Sequence, residues 1–387
     1  MKRIVIITNI PSPYRIPLFN QLHKDFRENG FLLHIVFLAK TYARRKWNVN
    51  EKEFCFEFTY LNDWIFLNGE GFSSLALTLY STLKSLKPDV LIVGGFSFAS
   101  IWALAYCKLN DANYIIWSGE TKIEYQNRHK FQYFRNVIRR PLIHYSSAFV
   151  VYGKMAKEYL ISQEGVNPKS IFVGINTIDT SFLKEKTELL RTRALELQSK
   201  KPKKEKNILF IGYLEKRKGV QLILTAAHYI KQKYPKFNFG IHIVGSGSEE
   251  MNLKKLTAEL ELSNVNFWGF KQKEEIPEYF AKSDLLIFPS THELYGLVPI
   301  EAMAAGLPVF CSENAGCAPD VIINKKTGVL FQPENFIQLG NLIYHYLNDD
   351  ALLKDLASNA QRHVCENLTI KRSTQGFISA TQYVLLD

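Results

Sequence analysis

The chain has no Asp-x-Asp anywhere, so the acidic pair that commonly seats a divalent cation on a diphosphate is missing, and chemistry without a metal or other cofactor is expected. Its five cysteines, Cys55, Cys107, Cys311, Cys317 and Cys365, are odd in number and scattered without any C-x-x-C. That pattern argues against both a disulfide framework and a zinc site, and a reducing, cytoplasmic setting is expected. Long apolar runs are scarce as well. The start, MKRIVIITNIP, meets Asn9 and Pro11 after a short apolar run and reads as a first strand, not as a leader. Val90 to Cys107 runs for 18 residues without a charge, but Gly94 and Gly95 split it into a strand and a following helix, which argues against a membrane span. Acidic residues fall short of basic ones, 37 against 48, and the resulting +11 suits a polyanionic partner. Base-stacking motifs of nucleic-acid modules are not visible, which leaves a nucleotide or an anionic membrane surface as the partner.

What is present is a soluble, globular composition in a chain of 387 residues, long enough for two domains. Its most informative stretch is DLLIFPSTHELYGLVPIEAMAAGLPVF, residues 284 to 310. Leu285 to Phe288 suit a strand buried on both faces, and Pro289 stops it. Pro299 suits the first position of a helix and Gly306 the left-handed residue past its end, which predicts a two-turn helix over 299–305. Glu301 then lies in the first turn, where the helix dipole favours a carboxylate. Glu293 lies in the preceding loop, with seven residues between the two. Two carboxylates beside a loop carrying Gly296 can accept hydrogen bonds from sugar hydroxyls, while the N–H groups around Gly296 and Leu297 can take phosphate oxygens. Together they describe a nucleotide-sugar site.

The run PSTHELYGLVPIEAMAAGLPV resembles the signature of glycosyltransferase family 4, retaining enzymes of the GT-B fold whose E-x7-E pair holds the donor. The resemblance implies an α/β chain of two Rossmann-like domains facing each other across a cleft. It implies a nucleotide-sugar donor, a glycan or lipid-linked acceptor, and surface polysaccharide synthesis. The loop in NILFIGYLEKRKGVQLIL resembles the family's G-R-L-x-x-x-K-G, in which arginine and lysine clamp the donor diphosphate. Lys218 matches the lysine. Tyr213 stands where the arginine is expected, so Lys216 or Arg217 compensates, or Lys218 and backbone N–H groups act alone. The turn Gly245-Ser246-Gly247 faces the donor site in the family, and the stretch around Gly269, Phe270 and Lys271 seats the base. Some relatives carry a histidine in the first-domain loop that here reads Trp117-Ser118-Gly119-Glu120, so Glu120 is the ionisable candidate there, beside a structural role. His292 is expected to pack or hydrogen-bond. Where many relatives have a glycine pair in the first loop, this chain has Pro11-Ser12-Pro13-Tyr14-Arg15.

Strand and helix signals alternate along the chain, which implies parallel sheets covered on both faces. The expected organisation is an acceptor-side domain over 1–182, a linker over 183–206 containing the lysine-rich SKKPKKEK, a donor-binding domain over 207–365, and a helix over 366–387 that packs back on the first domain. In RHKFQYFRNVIRRP, Arg128, Arg135 and Arg139 fall on one helical face beside a stripe of Phe131, Phe134 and Ile138. Such a helix either sits in the interface of an anionic membrane, making the protein peripheral on the inner face of the cell membrane, or turns its aromatics to the domain core. Three functional readings stay open: a retaining hexosyltransferase using a UDP- or GDP-sugar, a catalytically silent nucleotide-sugar-binding subunit, and a sugar-nucleotide epimerase of the same fold.

Overall fold

The computed structural model describes residues 1–42, 47, 49–61, 63, 65–68, 71–126, 132–197 and 205–386. The chain divides into two compact units, Met1–Ile178 with Ile370–Asp387, and Asp179–Thr369.

The strands of the first unit are β1 (Lys2–Thr8), β2 (Phe31–Phe37), β3 (Glu57–Tyr60), β4 (Ile65–Asn68), β5 (Gly71–Ser74), β6 (Val90–Gly94), β7 (Asn113–Ser118), β8 (Ala148–Val151) and β9 (Ile171–Val173). Seven of them form a parallel sheet in the order β3-β2-β1-β6-β7-β8-β9, and β4 pairs antiparallel with β5 apart from it. The apolar runs are continuous because both faces are covered. In β1, Ile4 and Ile6 enter one core and Val5 and Ile7 the other. The strand order reverses at β1, which pairs with β2 on one side and β6 on the other, so the loop after Thr8 sits at a switch point.

The helix Ile370–Leu386 belongs to this first unit. Phe377 meets Trp117 edge-on at 5.1 Å, and Asn113 Nδ2 donates to Val384 O at 2.8 Å. Gly376 lies so close to β9 that a Cβ there would strike the Val173 carbonyl. Phe377 is fully buried, so its truncation to alanine would cost about 3–5 kcal/mol.

The second unit holds β10 (Lys206–Ile211), β11 (Phe239–Val244), β12 (Val265–Phe267), β13 (Leu285–Phe288), β14 (Val309–Ser312) and β15 (Val329–Phe331). All are parallel, in the order β12-β11-β10-β13-β14-β15. Ile208 pairs with Ile241 on one side and Leu285 on the other, which puts the loops after β10 and β13 next to each other.

Two expectations need correction. Residues 183–197 are not linker but part of the helix Thr180–Leu197 of the second unit, with Leu183 and Thr187 buried one turn apart, and Lys206 already opens β10. Lysines 200, 201, 203 and 204 of the basic run lie outside the described residues. The helix Gln132–His144 does not present Arg139 to a surface. Arg139 is 3% exposed, donates from Nε to Glu120 Oε2 at 2.9 Å, also pairs with Glu164, and stacks over Phe96, Tyr125 and Tyr159. Val137 and Ile138 are exposed apolar residues of that helix, and Arg140 is exposed beside them. Arg128 and Phe131 lie outside the described residues. Among the described residues no helix is long and apolar enough to cross a membrane.

Candidate active site

At the end of β10 the chain makes a loop, one tight turn over Lys216–Lys218, and enters the helix Val220–Lys233 through Gly219 at φ +69°. A side chain at Gly219 would strike the carbonyl of Pro289, at the end of β13, so glycine lets the two loops close on each other. Their backbones then bond directly, Thr291 N donating to Arg217 O at 2.8 Å. The consequence is a charge cluster. Glu293 Oε2 accepts from Arg217 Nη1 at 2.9 Å and pairs with Lys218, whose ammonium also sits 5.6 Å from the centre of the Phe288 ring. Arg217 is oriented from behind by buried Glu215, Nε to Oε2 at 3.1 Å. Of the two cations expected to stand in for an arginine at Tyr213, Arg217 reaches Glu293 and Lys216 is exposed.

The loop that carries Glu293 is strapped along its length. Gly316 N donates to Glu293 O at 3.0 Å, Cys317 N to Tyr295 O at 2.9 Å, and Asn314 Nδ2 to Thr291 O at 3.0 Å. Gly296, at φ +96°, turns the chain where a Cβ would sit 2.8 Å from the Phe288 ring. Leu297 then leads into the helix Val298–Ala304, which starts one residue earlier than expected and stops before Gly306 at φ +68°. Its far end is held by Arg191 Nη1 on Ala305 O at 2.7 Å and Gln361 Nε2 on Ala304 O at 3.0 Å. Neither residue was singled out in the sequence, although the buried positions Leu183 and Thr187 carry the helical spacing that places Arg191.

The two carboxylates differ sharply in state. Burial works to raise the pKa of Glu293, but Lys218 and Arg217 overcome it and hold the group below the usual carboxylate range. Burial pushes Glu301 up to about 7, with Lys273 offsetting part of it. Among the described residues the Glu301 carboxylate takes no hydrogen bond and no ion pair.

Gly245 and Gly247 serve the packing of three neighbouring loops. A Cβ on Gly245 would strike Gly212 O and one on Gly247 would strike Leu214 O, while Leu214 N donates to Ser246 O at 3.1 Å and Gly245 N to Gly269 O at 2.8 Å. That last bond brings Phe270 and Lys271 beside the glycine turn. Phe270 is half-buried, and Lys271 lies 3.5 Å from Glu275 and 6.0 Å from the centre of the Tyr279 ring. His292 shares a hydrogen bond with Thr291 Oγ1 at 3.2 Å. Glu120 belongs to the first unit, buried against Arg139. Among the described residues no group of three or more His, Cys, Asp or Glu side chains could hold a metal ion.

The family model for glycosyl transferases group 1 matches residues 192–363. The chain is a glycosyltransferase. It is 26% identical over 307 residues to an uncharacterized glycosyltransferase of Haemophilus influenzae, covering 78% of this chain and 79% of that one. It is 25% identical over 303 residues to an uncharacterized 41.2 kDa protein in the cps region of Klebsiella pneumoniae, 76% of this chain and 81% of that one. Among solved structures, HepE of Anabaena in complex with UDP matches the glycosyltransferase with a TM-score of 0.76 at 17% identity, covering 99% of this chain and all of that one. Two parallel-sheet Rossmann-like domains of the GT-B class are therefore its fold.

Proposed function

We propose that this glycosyltransferase moves a hexosyl group from a UDP- or GDP-sugar to a hydroxyl of a glycan or lipid-linked acceptor in surface polysaccharide synthesis, with retention at the anomeric carbon. The observation that carries the reading is the pairing of an ionised Glu293, held between Arg217 and Lys218, with a partnerless Glu301 on the adjoining helix. Glu301 accepts hydrogen bonds from the ribose. The N–H groups of Gly296 and Leu297, at the positive end of the helix Val298–Ala304, take phosphate oxygens. Arg217 and Lys218 transfer their attraction from Glu293 to the diphosphate as charge grows on the leaving group, so no metal or other cofactor is required by this scheme. Glu293, released from them, accepts from the sugar hydroxyls. Gly245 and Gly247 keep the loops closed, and Phe270 and Lys271 seat the base. Glu120, engaged by Arg139, is given no part in the reaction.

The relative in a cps region supports the glycan class of acceptor, and the structural neighbour with UDP supports a UDP-sugar donor. A lipid-linked acceptor would bring the protein to an anionic surface, which its +11 charge favours; in the helix Gln132–His144, exposed Val137 and Ile138 rather than Arg139 are placed for such contact. The test is a screen of UDP- and GDP-sugars for release of free nucleoside diphosphate, read by mass spectrometry, followed by NMR of the product's anomeric centre. Slow release from one donor and an α-linked product from an α-linked donor are expected. Binding without release would point to the silent subunit, isomerised donor to the epimerase, and a β-linked product would overturn retention.

A further inference from the structure

In the first unit a second cation sits at the ends of parallel strands, under different circumstances. Arg15 closes the loop after β1 and precedes the helix Ile16–Glu28. Its guanidinium spans three strand ends: Nη1 donates to Thr8 Oγ1 at 3.0 Å, Nη2 donates to Tyr152 Oη at 2.6 Å, and its carbon lies 4.3 Å from the centre of the Trp117 ring. Gly119 makes this arrangement feasible, because any Cβ there would collide with the Tyr152 ring. Among the described residues no aspartate or glutamate pairs with Arg15; burial works against its charge, and tyrosines 152 and 14 are what act in its favour. Two donors close by are shut off from solvent and unpaired, Arg15 Nε and the indole Nε1 of Trp117, a residue only 1% exposed. A guanidinium offers five N–H groups in a fixed fork that suits carboxylate and phosphate oxygens, and burying it without a counter-ion is costly. The ends of strands at a reversal of sheet order are also where open α/β sheets take ligands.

We propose that Arg15 is the recognition residue for an oxyanion group, phosphoryl or carboxylate, carried by the acceptor. The assignment to the acceptor rests on the donor reading given above, in which every donor-holding residue lies in the second unit. A neutral acceptor would leave the charge of Arg15 unanswered. An acceptor carrying a phosphodiester, a diphosphate or a uronic acid would answer it.

Trp117 supplies a local reporter. The full-length protein is titrated with inorganic phosphate, inorganic pyrophosphate and glucuronate at constant ionic strength, following tryptophan emission, with Trp117→Phe identifying the Trp117 part. Phosphorus NMR line broadening of the two phosphates gives a reading that needs no tryptophan variant. A saturable signal is expected that weakens roughly ten- to a hundredfold in Arg15→Gln, is largely kept in Arg15→Lys, and is unchanged in Lys218→Ala. No saturable signal, or one lost in Lys218→Ala and kept in Arg15→Gln, overturns the site. Added UDP separates the sources: a phosphate titration indifferent to saturating UDP supports an acceptor group, whereas competition by UDP assigns Arg15 to the donor diphosphate and overturns the acceptor assignment. Because these titrations involve no sugar transfer, a protein that fails the donor screen yet binds phosphate through Arg15 would separate the failure of the proposed reaction from that of this site.

Discussion

The two units each place cationic side chains in the loop after their first strand, and they satisfy them in opposite ways. After β10, Arg217 and Lys218 are neutralised within the protein by Glu293, with Glu215 behind them. After β1, Arg15 rests on Trp117 and on two hydroxyls. The difference sets what an incoming anion must do. In the second unit it competes with an internal carboxylate, so part of its binding energy goes into breaking ion pairs, and the freed Glu293 becomes available to the substrate. In the first unit nothing is displaced. An exchange site of the first kind suits a group whose charge increases during the reaction, because the cations are drawn away further as the bond breaks.

Lys218→Ala breaks the comparison most directly, leaving the second unit with Arg217 alone. Turnover measured as nucleotide release should fall roughly a hundred- to a thousandfold, while nucleotide affinity changes much less. Unchanged turnover would remove Lys218 from the chemistry.

Glu301→Gln tests the uncompensated member of the carboxylate pair. Its pKa rises from an ordinary 4.5 to about 7 in the folded protein, so the protonated form is the favoured one, and the stability it lends is present below pH 4.5 and lost as pH rises through 7. The variant should therefore match wild type near pH 4 and exceed it at pH 8 by about 3 kcal/mol in denaturant unfolding. Nucleotide binding at pH 8 should weaken by about 1.5–3 kcal/mol, as expected for loss of a charged acceptor. A stability difference independent of pH would show that Glu301 titrates alike in the folded and unfolded chain, and one that turns in favour of wild type as pH rises would show that it is held ionised like Glu293.

Glu120→Gln is the smallest of the three. The amide keeps a hydrogen bond to Arg139, and Glu164 still supplies a charge, so unfolding should cost about 1–3 kcal/mol less and turnover should stay within twofold. A folded variant with turnover down more than tenfold would return Glu120 to the reaction.

The central strands of both sheets, the Glu293–Glu301 unit and the return of the C-terminal helix were readable because each has a local signal: a two-sided apolar run, a proline and glycine framing a helix, a trailing helical pattern. Edge strand β3 and the β4–β5 hairpin gave no comparable signal. Lysine-rich composition hid the helix Thr180–Leu197, whose buried stripe is narrow. Phe336–Leu347 and Asp350–Asn367 are two helices and not one, because Asp349 accepts from Ala351 N and Leu352 N and restarts the chain. Partnerships across long separations were beyond reach. Nothing near Arg139 in sequence announces Glu120 and Glu164 as its counter-charges, and so an amphipathic pattern that suited a membrane surface belongs in part to a buried ion network. Likewise Gly245 and Gly247 are required by the carbonyls of Gly212 and Leu214, which only the packed loops reveal.

The helix Ile370–Leu386 makes the second unit an insertion within the first. Synthesis on a ribosome therefore delivers the sheet of the first unit early but withholds the side chain of Phe377 from Trp117 until everything between has emerged. The second unit, contiguous in sequence, can close first, while Trp117, Val150 and their neighbours wait with an uncovered apolar face. Nascent chains arrested before residue 370 should be captured by holdase chaperones through the first unit, and cutting the protein at 178/179 would yield one half able to complete its core and one that is not.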